Sequence, residues 1–312
     1  MVRDRGRRLS AVEKKWLKFW LVLVALTVLA SYAVLIEPRW INAKQIDVEI
    51  KHWAGPAGLK VAVASDWHFT KRPLWRVMTV ERARAIVQEI NASRPDVILL
   101  PGDFIADRNY KPDTAASAED EIAEVLGQLR APHGVYATLG NHEWWHGGLD
   151  GQINQLPDGG LAFEAALERN GIRVLENTAV EIQSLKLWVV GIGDDTTGHA
   201  RPVQTKRAMP TDAQALVMMH DPNSLRLLPP TQGLIVAGHT HGGQVYLPWI
   251  GALIIPSAAP RSWAYGWVAP SALTNGNTAY VTNGLGVSIL PVRFNMRPEW
   301  VLFTIRDAGA KP

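Results

Sequence analysis

Seven residues able to ligate a metal fall in five short blocks: Asp66-Trp67-His68, Gly102-Asp103, Gly140-Asn141-His142-Glu143, His220-Asp221-Pro222 and Gly238-His239-Thr240-His241-Gly242-Gly243-Gln244. The seven are Asp66, His68, Asp103, Asn141, His220, His239 and His241. In extended backbone, residues i and i+2 point to the same side. Asp66 with His68, and His239 with His241, are therefore each expected to meet one ion. A carboxylate has lone pairs for two cations, which suits Asp103 to a bridging position. Asn141 offers a neutral amide oxygen and His220 a further nitrogen. Nitrogen and oxygen donors without thiolate suit Mn, Fe or Zn rather than Ca or Mg. Each block alone is weak: a Gly-Asp after a strand is usually a turn, and a lone His ending an apolar strand is usually a core histidine. Their ordered co-occurrence points to a two-metal site.

The elements that must carry these blocks alternate. Leu59-Ser65, Asp96-Pro101 and Gly134-Leu139 read as short buried strands, each running into a ligand block. Leu74-Asn91 and Ala116-Leu129 read as helices between them. This βαβαβ order predicts an α/β fold with a parallel sheet and helices on its faces. Loops at the carboxyl ends of such strands are where open α/β sheets put their chemistry. Further on, 161–170 reads as a helix. Arg173-Glu176, Val180-Gln183, Leu185-Ile192, Ala213-Met219, Gly233-Ala237, Thr278-Thr282 and Trp300-Ile305 read as strands. The stretches 107–117, 147–160 and 196–210 read as loops.

The chain has 312 residues, no cysteine and a formal net charge of +3. Disulfides, thiolate zinc sites and a Cys nucleophile are excluded. Residues 1–18 hold Arg3, Arg5, Arg7, Arg8, Lys14, Lys15 and Lys18 against Asp4 and Glu13, so without this tail the chain is slightly acidic. A basic nucleic-acid surface is not expected. From Phe19 to Ile36 no residue is charged, a run long enough to span a bilayer as a helix. The positive-inside rule then leaves the tail in the cytoplasm and the rest outside. A cleaved signal peptide is the rival reading, with small residues at Ser31 and Ala33; the long basic region and the length of the run favour an uncleaved anchor. The expected organisation is a basic cytoplasmic tail (1–18), a transmembrane helix (19–36), a linker with a first strand from Gln45 to Ile50 (37–58), and a catalytic domain (59–307) at the bacterial inner membrane.

The ordered blocks resemble the calcineurin-like metallophosphoesterases, whose pattern is Asp-x-His, Gly-Asp, Gly-Asn-His-Asp/Glu, a lone His and Gly-His-x-His. Residues 191–198, 238–244, 247–256 and 284–299 are similar to a subgroup of bacterial membrane-associated or exported phosphodiesterases. The resemblance spans about residues 45–307 and implies a two-sheet sandwich flanked by helices. It implies two divalent transition metal ions, the first held by Asp66, His68, Asp103 and His241. The second would be held by Asp103, Asn141, His220 and His239. His142 would face the substrate phosphoryl group and the leaving oxygen as the catalytic histidine. The reaction implied is attack by a metal-bridging hydroxide on a phosphodiester or pyrophosphate.

The anchor favours a lipid-linked substrate at the membrane. Phosphomonoesters, phosphoproteins and a non-catalytic metal-binding role are the alternatives. A nucleotide-diphosphate-sugar lipid fits less well, because that substrate faces the cytoplasm. Glu143 and Asp221 read equally as supports for ligand histidines or as solvated loop carboxylates. Asp194 and Asp195 are expected to shape a turn, and His146 to be exposed. The Trp-rich segment 247–268 reads as a hydrophobic hairpin over the core, or as a flap at the membrane surface; the hairpin is favoured.

Overall fold

Alternation along short strands decides the layers of this molecule. In strand Val97–Pro101, Val97 and Leu99 enter one apolar cluster while Ile98 and Leu100 enter another. In strand Gln214–Met219, Leu216 and Met218 join the same cluster as Val97, and Ala215, Val217 and Met219 face a third. A strand sends successive side chains to opposite faces, so two such sheets must stack face to face and each still needs an outer cover. The computed structural model, which describes residues 10–53, 55–73, 75–106, 116–147, 153–155, 159–268 and 277–308, has this layering.

The first sheet has six strands in the order Asn42–Ile50, Glu299–Asp307, Leu59–Val63, Val97–Pro101, Val135–Thr138 and Arg173–Val174. Only the pairing of strand 299–307 with strand 59–63 is antiparallel. The second sheet has the order Gly266–Val268, Ala279–Val281, Gln232–Ala237, Gln214–Met219, Leu187–Ile192 and Thr178–Ile182. Its four inner strands are parallel and both edge strands are antiparallel. Helices Val80–Ala92, Ala118–Leu126 and Gly159–Arg169 cover the first sheet, burying Ile86, Ile90, Ile122, Leu126, Phe163 and Leu167. The fold is a two-sheet α/β sandwich with helices outside.

Several boundaries differ from the sequence reading, for local reasons. The first of these helices begins at Val80, not 74, because Thr79 caps it by accepting the Arg82 N–H at 3.2 Å. The stretch 196–210, read as a loop, contains helix Pro202–Arg207. Pro202 sits in its first turn, where a missing N–H costs nothing; the periodicity of six residues is too short to register. Within 147–160, residues 153–155 pair with 145–147 and a helix starts at Gly159. The stretch 107–115, read as loop, lies outside the described residues, as do residues 1–9 of the basic tail.

Helix Ala11–Ser31 starts at a capping box made by Ser10 and Glu13, continues as a wider turn to Ile36 and ends at Arg39. No residue from Ala11 to Ser31 is buried. The helix is long and apolar enough to cross a membrane, as a signal sequence also is. Its last turns touch the body of the protein: Ala33 and Glu37 are buried.

Candidate metal centre

The seven proposed ligands sit just past the carboxyl ends of inner strands of both sheets. Strands 59–63, 97–101 and 135–138 lead to Asp66, Asp103 and Asn141; strands 214–219 and 232–237 lead to His220 and His239. All seven are buried. Asp66, His68, Asp103 and His241 each turn one donor atom into a single group, and Asp103, His220 and His239 form another, with the atoms of each group within 4.8 Å of one another. Asp103 belongs to both. Its Oδ2 lies 3.3 Å from His68 Nε2 and 3.2 Å from His220 Nε2. Asn141 Oδ1 is 3.2 Å from His220 Nε2.

The backbone that achieves this is not the extended chain expected from the spacing. Asp66 (φ 54°), His68 (φ 48°), Asp103 (φ 55°), His239 (φ 69°) and His241 (φ 50°) are all left-handed. The strands have ended by then, and each ligand is turned inward by a residue type that rarely adopts this conformation. Such positions cost roughly 1–3 kcal/mol each and persist where the surroundings over-determine them. Two glycines show why the surroundings are so tight. A Cβ on Gly140 would lie 2.3 Å from Asp103 Oδ1, and one on Gly284 (φ 66°) 2.5 Å from Asp66 Cβ.

Backbone carbonyls set the histidine tautomers. His220 Nδ1–H donates to Pro101 O at 2.7 Å, His142 Nδ1–H to Ala106 O at 2.8 Å, and His239 Nε2–H to Pro256 O at 2.5 Å. The other ring nitrogens, Nε2 of His220 and Nδ1 of His239, then point into the cluster and offer lone pairs once deprotonated, the arrangement that metal-ligating histidines use, while Nε2 of His142 points toward Asp103.

The donor set fits cations. His68 Nε2 and His241 Nε2 are 3.0 Å apart, and His241 Nε2 is 3.6 Å from Asp66 Oδ1. Burial raises the Asp66 carboxyl; His220 opposes this and the Asp103 charge adds to it, and a cation between the two carboxylates would favour their ionised forms. Burial acts on Asp103 in the same direction, but the nearby His220 and His142 and the hydrogen bonds from His220 and His68 hold it well below the usual carboxylate range. Burial drives His241 well below the usual histidine range, so it stays neutral as a ligand must.

His142 is set apart from this cluster. Its Nε2 is 4.0 Å from Asp103 Oδ2 and its side chain is 28% exposed. Burial lowers its pKa to about 4, with Asp103 opposing. It lines a cleft of about 330 Å³ together with Thr70, Arg72, Asn141, Thr196 and His239.

The neighbours of the ligands fill out what the sequence left open. Glu143 is fully buried and holds backbone: its carboxylate accepts the N–H groups of Asp103 (3.0 Å), Phe104 (2.8 Å), Ile105 (3.3 Å) and Gly140 (2.8 Å). Asp221 is buried too, taking hydrogen bonds from Thr196 Oγ1 at 2.8 Å and Ser257 Oγ at 2.6 Å, with its Oδ2 3.9 Å from His239 Nε2. The solvated alternative fails for both carboxylates. Asp194 accepts from Thr197 N at 2.7 Å within a turn, and Asp195 from Asn223 Nδ2 at 2.7 Å. Arg293, fully buried, donates to the carbonyls of Asn283, Gly284, Gly286 and Met296 and approaches His241 Nδ1 at 3.4 Å. Only its place in a Gly-rich late segment hinted at it.

The Trp-rich segment divides. Trp263 and Val268 are buried against the second sheet, as a core hairpin would be. Trp249, Ile250 and Ile254 are exposed, which the core-hairpin reading does not account for.

Comparison with known proteins agrees with this geometry. The family model described as calcineurin-like phosphoesterase matches residues 59–243. The chain is 30% identical over 288 residues to the uncharacterized metallophosphoesterase YkuE of Bacillus subtilis strain 168, covering 89% of this chain and 90% of that one. It is 28% identical to the phosphodiesterase YaeI of Escherichia coli K12, covering 86% and 90%. It is 22% identical to the UDP-2,3-diacylglucosamine pyrophosphatase LpxG of Chlamydia muridarum, covering 72% and 79%. The chain thus belongs to the calcineurin-like phosphoesterase family and is a metallophosphoesterase, a hydrolase of phosphoric ester bonds.

Proposed function

We propose that this protein is a membrane-anchored phosphodiesterase or pyrophosphatase working with two divalent transition metal ions, Mn, Fe or Zn, on a lipid-linked substrate. The observation that carries the two-ion reading is Asp103 Oδ2, within 3.3 Å of one histidine from each ligand group. Asp66, His68, Asp103 and His241 would hold one ion; Asp103, Asn141, His220 and His239 would hold the other. When bound, the ions supply Lewis acidity and a water made nucleophilic near neutral pH. Two divalent charges over two carboxylates leave the centre net positive, which favours an incoming phosphoester anion.

His142 is the catalytic histidine. Its Nδ1 proton is fixed on Ala106 O, so Nε2 faces the cleft. It can donate from Nε2 only when doubly protonated, and a phosphoryl anion beside it favours that form. From there it offers a hydrogen bond to a phosphoryl oxygen or a proton to the leaving alkoxide. Arg72 lines the same cleft and suits a second phosphoryl oxygen. Glu143 and Asp221 stiffen the loops that carry the ligands.

The apolar helix is read as an uncleaved anchor with the catalytic domain on the extracytoplasmic side. Similarity to YaeI, named a phosphodiesterase, and to LpxG, named a pyrophosphatase of a diacylated sugar nucleotide, supports the diester and pyrophosphate classes. The test is turnover of the purified full chain with Mn, Fe or Zn on phosphomonoesters, phosphodiesters and lipid pyrophosphates. Diester or pyrophosphate hydrolysis above monoester hydrolysis is expected; a preference for monoesters would overturn the reading.

A further inference from the structure

A second cavity, about 210 Å³, abuts the catalytic cleft. The two share Pro256, Ser288 and Ile289 as walls. Its other lining side chains are mostly apolar and include Val245, Leu253, Ile254, Leu290 and Val292, and the proposed ligand His241 also lines it. A ligand whose phosphoryl group sits at the metal centre can therefore extend a tail into it without leaving the protein surface. The mouth is apolar too. Trp249 is fully exposed, Ile254 is 74% exposed, Ile289 70% and Leu290 57%. Exposed apolar side chains grouped around one cavity, as Ile254, Ile289 and Leu290 are, mark an interaction site rather than ordinary surface.

The occupant is indicated by what the cavity wall is attached to. Arg293, next to the lining residue Val292, donates its backbone N–H to Ala33 O at 2.9 Å. Met296 N donates to the buried carboxylate of Glu37 at 2.5 Å. Arg297 Nε donates to Trp40 O at 3.0 Å, and its guanidinium stacks on the Trp40 ring at 4.1 Å. The wall is thus bonded directly to the last turns of the apolar helix. Ala33 lies three residues inside the end of the uncharged run at Ile36, or about 4.5 Å of helical rise. With that run in a bilayer, the loop 289–293 lies at the depth of the interface. The rim residues then meet lipid, and Trp249 takes a position that Trp favours.

We propose that this cavity holds a hydrocarbon chain of a lipid drawn from the bilayer in which the helix is anchored, while its phosphodiester or pyrophosphate headgroup enters the metal centre. The inference rests on the membrane-anchored phosphoesterase reading and adds to it the subsite that selects the substrate. Leu253, Ile254 and Leu290 are specificity-determining residues in this account. Gln244 holds the two walls together: its Nε2 donates to Leu290 O at 3.0 Å and its Oε1 accepts the Ser288 N–H at 2.7 Å.

The test uses the full chain in lipid nanodiscs, with p-nitrophenyl alkyl phosphates of two to ten carbons kept below their aggregation concentration. Burying a methylene strengthens binding about three- to fourfold, so kcat/KM should climb by roughly that factor per carbon until the cavity is full. In Ile254→Asn and Leu290→Asn the ratio of decyl to ethyl kcat/KM should fall at least tenfold. This ratio is unaffected by the fraction of protein that folds or binds metal. Leu227→Asn, at an exposed site elsewhere, should keep the wild-type ratio. Hydrolysis of every ester with no dependence on chain length overturns the lipid subsite and leaves the phosphoesterase reading intact. Hydrolysis of none, with Mn, Fe or Zn supplied, overturns that reading and the subsite with it. A flat profile with full-length protein running as a dimer would assign the apolar rim to a second copy instead.

Discussion

Glu143 accepts the backbone N–H of Asp103 at 3.0 Å through one carboxylate oxygen, and that same oxygen accepts the N–H of Gly140 at 2.8 Å. Two ligand loops from neighbouring strands are thereby tied to one buried group. Replacing it with Gln brings an amide donor against N–H groups that already donate. Glu143→Gln should therefore weaken metal binding by about 10–100-fold, the range for outer-shell partners, with little change in the cleft itself. Metal titration by calorimetry checks this; unchanged affinity would show that the loops hold their shape unaided.

His142→Ala should leave metal content unchanged and lower turnover by roughly 10²–10⁴-fold, as for a positioned acid–base group. The loss should be largest for alkyl leaving groups and smaller for nitrophenol, which needs little protonation. An equal loss for both would assign His142 to phosphoryl charge stabilisation alone. Loss of metal from the variant would mean that it is a ligand.

Arg293 carries a second kind of load. Its guanidinium donates to four backbone carbonyls of the late loop, including Gly284 beside Asp66. Burial lowers its pKa only to about 10, so it stays charged at neutral pH. Arg293→Met leaves several buried carbonyls without donors, at about 1–3 kcal/mol each when unsatisfied. The variant should unfold at least 1 M earlier in urea, a shift readable by circular dichroism. A midpoint equal to wild type would contradict the scaffold role.

The sheets of this protein were largely readable beforehand, and for one reason. Runs such as Val97–Pro101 and Gln214–Met219 are apolar on both faces because both faces are covered, so their burial survives any error of register. The seven proposed ligands stood out because their residue types are rare in that order, and the structure brings them together. What was hidden lies between these levels. The spacing of Asp66 and His68 suggested a strand, yet their positive φ depends on glycines and loops far along the chain. Arg293 and Glu143 act through backbone groups, which leave no pattern in side-chain types. Helix 202–207 is too short to show periodicity.

Glu176 gives a stability prediction with a definite sign. Burial raises its pKa to about 7, although Leu139 N and Thr138 Oγ1 both donate to it at 2.7 Å. Its folded pKa thus exceeds the value near 4.3 expected when unfolded. The folded state binds more protons between those values, so this group lowers stability as pH rises from about 4 through 7. Glu176→Gln should flatten that decline and gain most relative to wild type at pH 8. Denaturant melts at pH 5 and pH 8 measure it; an equal effect at both would mean that the carboxyl ionises normally.

The most direct measurement is metal stoichiometry alongside activity in wild type and Asp103→Asn. Asp103 stands between both ligand groups, with its Oδ2 3.3 Å from His68 Nε2 and 3.2 Å from His220 Nε2. The account predicts close to two transition metal ions per wild-type chain, loss of phosphodiester hydrolysis on exhaustive chelation, and its return when metal is restored. It predicts weakened binding of both ions and no measurable hydrolysis in Asp103→Asn. Full activity in the chelated wild-type protein, or an Asp103→Asn protein that keeps both ions and its turnover, would contradict it.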